Sequence, residues 1–408
     1  MVNVIGLGYI GLPTALMLAA HGVEVVGTDC NVELVDTLNS GHTTFKEDGL
    51  DDLFARAVEA GIRFTAEYQE CDTYIVSVPT PYDKESKKID AGYVVSAVES
   101  VLDVARKGAV IVVESTVSPG TIDRFVRPAV AARGLECGRD VHLAHAPERI
   151  IPGNMVNELL GNNRTIGADD PAVGEGVAQL YASFCRGEIV VTDIRTAEMT
   201  KVVENTFRAV NIAFANELAK ICRVGGMDVR EVIRIANKHP RVDILQPGPG
   251  VGGHCIPVDP WFLVGDYPEV AGFVRLALQT NASMPEYVLS RAFEAMKAND
   301  ISDPSKVGVY GLAYKEDVDD VRESPTLQML EAQSLHLGGC PMKVYDPWVE
   351  ADVVPNQAHS MEEFLDGLEM VIVMVGHSQV KGRPEAFGGR VLVDPRDVMG
   401  GGENVWKL

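Results

Sequence analysis

A single cysteine lies inside a run of glycine and proline near the middle of the chain. The segment reads Gly-Gly-His-Cys-Ile-Pro-Val-Asp-Pro, with the thiol at Cys255 and a carboxylate four residues later at Asp259. A nucleophilic thiol needs an accessible setting that favours the thiolate, and the glycines leave the backbone around it uncovered. Most cysteines outside disulfides are buried packing residues, but this one adjoins a glycine-rich loop rather than an apolar periodic element. The pattern therefore favours covalent chemistry at Cys255.

A long helical pattern upstream carries two polar residues that suit the same chemistry. Lys201 and Asn205 are four positions apart, so both side chains leave the same face of a helix. A lysine charge favours a nearby thiolate, and an asparagine amide donates to a developing oxyanion. For Lys201 taken alone, the alternative is an ordinary solvated helix face.

Two more polar segments each follow a predicted strand. Thr116 ends the sequence Glu-Ser-Thr, and Glu148 lies in Ala-Pro-Glu-Arg. Open α/β sheets bind their ligands beyond the carboxyl ends of the strands, so Thr116 and Glu148 are candidates to converge on a water molecule. The alternative is that they form turns and helix caps. We interpret His145 and His254 as polar residues that line loops rather than as bases.

The N-terminal Gly-Leu-Gly-Tyr-Ile-Gly sequence follows a strand, opens a helix and precedes an acid about 20 positions on. Gly6 permits the tight turn, Gly8 lets the backbone approach a pyrophosphate, and Gly11 allows close helix packing. The helix N-terminus then faces the phosphates. The acid, Asp29, can accept hydrogen bonds from a ribose and would repel a 2′-phosphate, which favours NAD over NADP. The predicted cofactor contacts in this region are Gly6, Gly8, Tyr9, Ile10, Gly11 and Asp29.

Alternating strands and helices must position these residues in the first part of the chain. The predicted strands are Val2–Ile5, Glu24–Thr28, Tyr74–Val78, Val110–Glu114 and His142–Ala144, with a first helix over Tyr9–His21. This alternation is typical of βαβ units and a parallel sheet. Apolar residues then recur at helical spacing over 196–224.

A second alternating region begins near residue 306. Its predicted strands are Val307–Tyr310, Lys343–Tyr345, Met370–Val375 and Val391–Val393. Ser324 and Pro325 provide an N-cap and a first helical residue. The predicted fold is therefore α/β, with two Rossmann-like doubly wound domains that are joined by a helical central region with a long helix. We predict an NAD-binding domain over 1–194, a central helical dimerisation and catalytic region over 195–298, and a substrate-binding α/β domain over 299–408.

Composition excludes several classes of protein. The 408 residues are 46% hydrophobic and carry a net charge of −22, which suits a globular protein and argues against a nucleic-acid partner. The seven cysteines, which include Cys340, are scattered without a CxxC pair. We therefore expect a reducing cytosol and no metal site. With neither a signal peptide nor a long apolar run, the sequence predicts a soluble, cytoplasmic protein without a membrane partner.

The motifs in this order resemble the UDP-sugar 6-dehydrogenases of the UDP-glucose/GDP-mannose dehydrogenase family, over essentially the whole chain. Within that family, residues 195–199 and 239–255 are most similar to enzymes that act on UDP-N-acetyl-D-mannosamine. The resemblance implies a four-electron oxidation with NAD, in which Cys255 forms a thiohemiacetal and then a thioester. It assigns oxyanion stabilisation to Lys201 and Asn205, and base or water activation to Asp259. Thr116 and Glu148 would order the hydrolytic water.

The resemblance also implies contacts with cofactor and substrate. Thr80, Thr116 and Arg322 would contact the cofactor, with Arg322 reaching that of a neighbouring subunit. Arg241 would cross a dimer interface toward the sugar. The implied substrate-binding residues are Glu148, Arg149, Lys201, Asn205, Arg241, Gly252, Lys315 and Arg396. For the cations among them, surface ion pairing is the alternative. The long helix would form the seam of a homodimer or larger homo-oligomer, and burial within its own chain is the alternative.

Three functional alternatives remain open on the sequence. UDP-N-acetylglucosamine and UDP-glucose differ from the favoured substrate only at C2. A two-electron hydroxyacid dehydrogenase would share the first domain and a helix lysine but would have no need of Cys255. A non-catalytic NAD-binding sensor would have no reason to combine Cys255 and Asp259 with Lys201 and Asn205.

Overall fold

The computed structural model describes residues 1–151, 153–337 and 342–408, so Cys340 lies outside the described residues. The chain forms two compact units, Met1–Glu204 and Asn205–Leu408. Each unit contains one β-sheet with its own hydrophobic core.

The sheet of the first unit has the strand order β3-β2-β1-β4-β5-β6-β7-β8. Neighbouring strands are parallel, except that β6 and β7 are antiparallel. The order reverses between β1 and β4, and such a switch point is where doubly wound sheets bind ligands. The strands are β1 (Val2–Ile5), β2 (Val25–Thr28), β3 (Arg63–Thr65), β4 (Thr73–Val76), β5 (Ala109–Val113), β6 (Val141–His145), β7 (Arg164–Ala168) and β8 (Ile189–Thr192).

Helices alternate with these strands. Helix α1 is buried along nearly its whole length, as expected of a helix that packs between the sheet and its neighbours. Asn31 and Asp170 cap the N-termini of α2 and α7 with their side chains. The helices are α1 (Gly11–Ala20), α2 (Val32–Asn39), α3 (Leu50–Glu59), α4 (Gly92–Val104), α5 (Arg127–Ala132), α6 (Met155–Gly161) and α7 (Pro171–Tyr181), with a π-helical turn at Ile122–Val126.

The helix α8 (Ile194–Gly225) is continuous over 32 residues. It begins in the first unit and ends in the second, and it confirms the long helix predicted over 196–224. Shorter helices follow it. They are α9 (Val229–Ala236), α10 (Asp259–Asp266), α11 (Gly272–Ala282) and α12 (Met284–Ala298).

The sheet of the second unit repeats the order of the first six strands of the other sheet, as β11-β10-β9-β12-β13-β14, with parallel pairing throughout. Its strands are β9 (Val307–Tyr310), β10 (Lys343–Tyr345), β11 (Gln357–Ala358), β12 (Met370–Val373), β13 (Val391–Asp394) and β14 (Val405–Lys407). Its helices are α13 (Pro325–Leu337) and α14 (Met361–Leu365), with 3-10 turns at Pro304–Lys306 and Pro384–Phe387. The predicted pair of doubly wound α/β folds is confirmed.

Boundaries differ from the sequence predictions in ways that have physical causes. Helix α1 begins at Gly11, two residues later than predicted, because the preceding residues form the glycine turn. Short or partly exposed strands such as β3, β8 and β14 were not predicted, since their apolar runs are brief. His145 was wrongly assigned to a loop, because it is the fully buried last residue of β6. None of the helices in the described part of the chain combines the length and apolar character that a membrane crossing requires.

Candidate active site

The turn between β1 and α1 has the geometry that a dinucleotide pyrophosphate needs. Gly6 has φ of +86°, and a Cβ there would collide with the carbonyl oxygen of Ser77. A Cβ on Gly11 would collide with the carbonyl oxygen of Gly6. Gly8 is different, because a Cβ there would meet no protein atom within 4 Å. Packing within the protein explains Gly6 and Gly11, whereas the open space over Gly8 fits a bound cofactor.

Asp29 lies at the end of β2, beside this turn. Its carboxylate accepts hydrogen bonds from the backbone N–H groups of Leu7 and Asn31, both at 2.8 Å. A carboxylate has further lone pairs, so Asp29 retains the capacity to accept from a ribose. Around the turn, the ring of Tyr9 stacks on Phe45 with centroids 4.4 Å apart.

Three other predicted cofactor residues, Ile10, Thr80 and Thr116, lie at the carboxyl edge of the same sheet or at the start of α1, whereas Arg322 belongs to the second unit. Ile10 is the N-cap residue of α1. Thr80 follows β4, and Thr116 follows β5, and both side chains are partly exposed. The neighbouring Ser115 ties these two segments together, because its hydroxyl accepts from Val78 N at 2.8 Å and donates to Val78 O at 2.6 Å.

Glu148, beyond the end of β6, is buried and held on both oxygens. One oxygen accepts from the backbone N–H of Arg149 at 2.7 Å, and the other forms an ion pair with the buried guanidinium of Arg164. The Arg149 side chain is itself bound to Glu204 at 2.6 Å. It also donates to Asn163 O and Thr165. Both predicted residues are therefore fixed within a charged network.

Sequence reasoning missed Glu114, the buried carboxyl group next to Ser115. Tyr181 donates to it at 2.8 Å and Thr14 donates at 3.2 Å, both to Oε1. Burial, and after it the charge of Glu148, raises the pKa of Glu114 to about 7. The sequence signal that could have identified Glu114 is its position directly after an apolar strand. This signal is weak, because polar residues at strand ends commonly belong to turns. On the adjacent strand β6, burial lowers the pKa of His145 to about 4 and so keeps its ring neutral.

Glu198, on the first turns of α8, is a second buried acid that the sequence did not single out. Its carboxylate accepts from Gly120 N at 2.5 Å and from Ile122 N at 2.9 Å. Burial raises its pKa to about 7, against the lowering effect of these two N–H groups. Glu198 thus ties α8 to the segment that follows Thr116.

Lys201 and Asn205 lie on α8, and both side chains are buried. The solvated helix face considered for Lys201 is therefore wrong. Within the second unit, Asn205 Nδ2 donates to Asp259 Oδ2 at 2.6 Å, and Asp259 is also buried. An amide that donates to a buried carboxylate is fixed in orientation, and it also helps the carboxylate to remain charged.

The thiol of Cys255 lies in a loop that leads into α10. The carbonyl of Cys255 accepts from Asp259 N at 2.8 Å, so the thiol and the carboxylate are joined by one turn of backbone. The Cys255 side chain is partly exposed, whereas those of Cys71, Cys185 and Cys222 are buried. Cys30 is exposed and Cys137 is partly exposed as well, so exposure separates Cys255 from the three buried cysteines but does not by itself single it out.

The glycines before the thiol make close contacts within the second unit. A Cβ on Gly252 would lie 2.5 Å from the Cβ of Tyr314, and Gly253 has φ of +91°. The N–H of Gly253 donates to the carbonyl of Arg322 at 2.9 Å. The absence of side chains at these glycines therefore lets the loop around Cys255 pack closely against residues 314–325. The sequence alone does not show this structural role of the two glycines.

The predicted cationic residues of the second unit differ in their surroundings. Arg241 is exposed, and Arg322 is exposed but forms an ion pair with Asp320 at 2.6 Å. Lys315 is partly exposed on the turn after β9. Arg396 Nε donates to Met374 O at 2.7 Å, which fixes its guanidinium beside the ends of the strands. In the described residues there is no group of three or more His, Cys, Asp and Glu side chains that is arranged for a metal ion.

Comparison with known proteins places the whole chain in one family. Residues 1–185 match the NAD binding domain of the UDP-glucose/GDP-mannose dehydrogenase family, residues 195–283 its central domain, and residues 308–401 its UDP binding domain. A UDP-N-acetyl-D-mannosamine dehydrogenase of Methanococcus vannielii is 39% identical over 99% of this chain and 94% of its own length. An NDP-N-acetyl-D-galactosaminuronic acid dehydrogenase of Ralstonia nicotianae is 40% identical over 97% and 95%.

Solved structures agree with the sequence relatives. The UDP-N-acetyl-mannosamine dehydrogenase Cap5O of S. aureus matches with a TM-score of 0.88 and 40% identity, over 100% of this chain and 98% of that one. The chain therefore belongs to the UDP-glucose/GDP-mannose dehydrogenase family and is an NAD-dependent UDP-sugar dehydrogenase.

Proposed function

We propose that this enzyme oxidises C6 of UDP-N-acetyl-D-mannosamine to the carboxylate through a covalent adduct on Cys255. The observation that carries the proposal is the partly exposed thiol joined by one backbone turn to the buried Asp259–Asn205 pair. The choice of substrate is supported by two UDP-N-acetyl-D-mannosamine dehydrogenases that are about 40% identical over nearly the whole chain.

The proposed reaction consists of two successive two-electron oxidations at C6. NAD⁺, when bound, accepts the hydride that leaves C6 in each of them. The first oxidation converts the alcohol to an aldehyde with loss of a proton, and the Cys255 thiolate adds to the carbonyl to give a thiohemiacetal. The second oxidation gives a thioester, and water then releases the uronate and restores the thiol. One sugar thus consumes one water molecule and yields two NADH.

Three residues of the chain would handle charge and protons around C6. The ammonium of Lys201 and the amide of Asn205 donate to the oxygen that becomes negative when sulfur or water adds. The Asn205 amide fixes the Asp259 carboxylate in orientation, and this carboxylate would receive a proton from the alcohol or from water. Burial of these groups strengthens such interactions, because little water screens them.

Thr116 and Glu148 are assigned to hydrolysis of the thioester. The Glu148 carboxylate is fixed by Arg164 and by the Arg149 N–H, so it presents a defined orientation to a water molecule. The hydroxyl of Thr116 can donate to the same water while its neighbour Ser115 holds the strand ends in place. A fixed water reacts faster than a mobile one, because its orientation is already set.

The first unit would hold NAD through its glycine turn. Gly6, Gly8, Tyr9, Ile10 and Gly11 form the pyrophosphate turn, Asp29 accepts from the adenosine ribose, and Thr80 and Thr116 add further contacts. Arg322 would reach the cofactor of a neighbouring subunit. The open space above Gly8 supports this assignment.

The sugar nucleotide would be bound by the cationic and loop residues that the family resemblance implies. Lys315 and Arg396 meet the pyrophosphate or uridine, while Arg149, Arg241 and Gly252 contact the substrate together with the residues around C6. Positive groups are required here, because the protein as a whole carries a net charge of −22.

The central region 195–298 is proposed to form a homodimer seam. Large apolar side chains repeat along one face of α8 and are exposed, among them Phe207, Phe214, Ile221 and Val224. Exposed apolar surface of this kind marks an association site. The domain limits, the oligomer and the cytoplasmic location stay predictions from the sequence.

The decisive experiment compares the purified enzyme on UDP-N-acetyl-D-mannosamine, UDP-N-acetylglucosamine and UDP-glucose. We expect the largest kcat/KM with the first substrate and two NADH per sugar, measured by absorbance with the uronate quantified by mass spectrometry. One NADH per sugar would instead indicate a two-electron dehydrogenase. A preference for another sugar would replace the substrate but leave the thioester chemistry in place.

A further inference from the structure

The two sheets share a backbone pattern at the ends of their first strands. Gly6 N donates to Thr28 O at 2.8 Å, and Gly311 N donates to Tyr345 O at the same distance. Both glycines have positive φ, +86° and +96°. The turn after β9 is therefore the counterpart of the turn after β1.

The acid that follows the second strand is also repeated. Asp29 follows β2 and accepts from Leu7 N at 2.8 Å, while Asp346 follows β10 and accepts from Leu312 N at 2.6 Å. The other carboxylate oxygen of each aspartate accepts from the N–H two residues later, at 2.8 Å in both. Asp346 thus occupies the position that, in the first unit, is proposed to accept from a ribose.

The surroundings of these two acids differ. Asp29 is partly exposed, but Asp346 is 4% exposed and lies 3.2 Å from Nε2 of His377, which is itself fully buried. His377 is the fourth residue after Val373, and Val373 pairs with the end of β9 as Val76 pairs with the end of β1. The residue at the corresponding place in the first unit is Thr80. In the second unit, the imidazole of His377 therefore covers the side of Asp346 that corresponds to the exposed side of Asp29 in the first unit.

Hydrogen bonds define the state of this imidazole. Asp317 N donates to His377 Nδ1 at 2.9 Å, so Nδ1 is an acceptor and the ring hydrogen lies on Nε2, facing Asp346. Asp317 is tied back to the same segment, because its carboxylate accepts from Ser378 N at 3.0 Å. The ring of Tyr310 contacts the imidazole edge-on, with centroids 5.8 Å apart.

We propose that Asp346 and His377 form a clamp that fixes the loop 312–317 for UDP binding, so that the acid used for ribose in the first unit is used for loop positioning in the second. Asp346 holds the loop at Leu312 and Ala313, and His377 holds it at Asp317. Lys315 lies between these two fixed points. The inference rests on the proposed role of Lys315 in substrate binding, and His377 is a positioning residue that need not touch the ligand.

The clamp also limits what the second unit can bind. A ribose cannot reach Asp346 while His377 fills its remaining side, because both groups are buried and bonded to one another. The second doubly wound fold therefore binds its nucleotide without the acid–ribose contact expected in the first.

Two amide variants of His377 distinguish the effect of its hydrogen bond from Asp317 N from that of its hydrogen bond to Asp346. Asparagine places an acceptor near the Nδ1 position and retains the bond from Asp317 N. Glutamine reaches the Nε2 position and retains the donor to Asp346 but loses the loop bond. We expect His377→Asn to bind UDP nearly as wild type does in calorimetry. His377→Gln should bind UDP about tenfold more weakly, the effect of about one buried hydrogen bond.

Further measurements separate positioning from general loss of structure. NAD affinity should be unchanged in both variants, and hydrogen exchange at residues 314–320 should rise in His377→Gln alone. With UDP-sugar, KM should rise in His377→Gln while kcat changes little. Equal UDP affinity in the wild type and His377→Gln would overturn the clamp. Wild-type protein that binds UDP but oxidises no UDP-sugar would overturn the proposed function and leave the clamp standing.

Discussion

At the scale of single residues, exposure distinguishes Cys255 from the packing cysteines. Cys255→Ser should retain NAD binding and lose uronate formation by at least about a thousandfold, because a serine hydroxyl is a far weaker nucleophile than a thiolate and its ester is not the thioester that the reaction needs. NADH release and mass spectrometry of the product would measure the loss.

Cys137→Ser is the matched control, since Cys137 has the same intermediate exposure but lies far from the motif in sequence. It should retain full turnover. Uronate production by Cys255→Ser at the wild-type rate would contradict the covalent mechanism.

The buried Glu114 gives a prediction about pH and stability. Its pKa is raised to about 7 from the ordinary 4.5, first by burial, so the folded protein holds this proton more tightly than the unfolded chain. The stabilising contribution is complete below about pH 4.5 and is lost as pH rises through about 7. Glu114→Gln, which is always neutral, should therefore gain stability relative to wild type as pH increases from about 4.5 to 7, and the difference should level off above about pH 7.

Urea unfolding at several pH values would measure that difference in free energy. Glu175→Gln, an exposed acid on α7, should show no such trend. Parallel pH profiles for wild type and Glu114→Gln would mean that Glu114 is ionised throughout in the folded protein.

At the scale of elements, α8 is fixed near its start by a carboxylate. Glu198 accepts from two backbone N–H groups that follow Thr116, and Lys201 lies three residues later on the same helix. Glu198→Gln leaves one of these N–H groups facing an amide NH₂, which should cost about 1–3 kcal/mol of stability. We also expect kcat to fall more than NAD affinity, because Lys201 and Thr116 would lose their fixed positions.

Thermal unfolding and steady-state kinetics at about pH 8, where Glu198 is ionised, would test both effects. Substitution of Glu175 is again a suitable control. If Glu198→Gln had wild-type kcat despite reduced stability, the hydrogen bonds of Glu198 would stabilise the fold without positioning Lys201 or Thr116 for catalysis.

At the scale of the whole molecule, the exposed face of α8 predicts association of two chains. Phe207 is 66% exposed and Phe214 is 53% exposed, and apolar groups of this size are rarely left in water on one continuous face. If two chains associate through this face, as proposed, Phe214→Glu should convert the dimer to a monomer in analytical ultracentrifugation, since association would bury the new carboxylate.

Val32→Glu provides the comparison, because Val32 is similarly exposed but lies on α2, outside the central region. It should leave the sedimentation coefficient unchanged. A monomeric wild type would show instead that α8 does not form the seam.

The fold class followed from the sequence, and the proposed site residues were chosen from it, because each depended on local pattern. Strand periodicity, the glycine turn before α1 and the Ser324–Pro325 helix start act through nearby residues. The motifs around Cys255, Lys201 and Glu148 could be proposed for the same reason, since residue type and spacing within a few positions suggest the chemistry, and their roles stay predictions.

Only the tertiary structure decided which polar residues are buried and which residues they meet. Glu114, Glu198 and the Asp346–His377 pair are joined to partners dozens of residues away. Their protonation depends on burial and on those partners, neither of which is written in the neighbouring sequence. The sequence thus determined which polar groups are present near each strand end. Packing determined which of these groups have a raised pKa and which of them form hydrogen bonds that fix a loop.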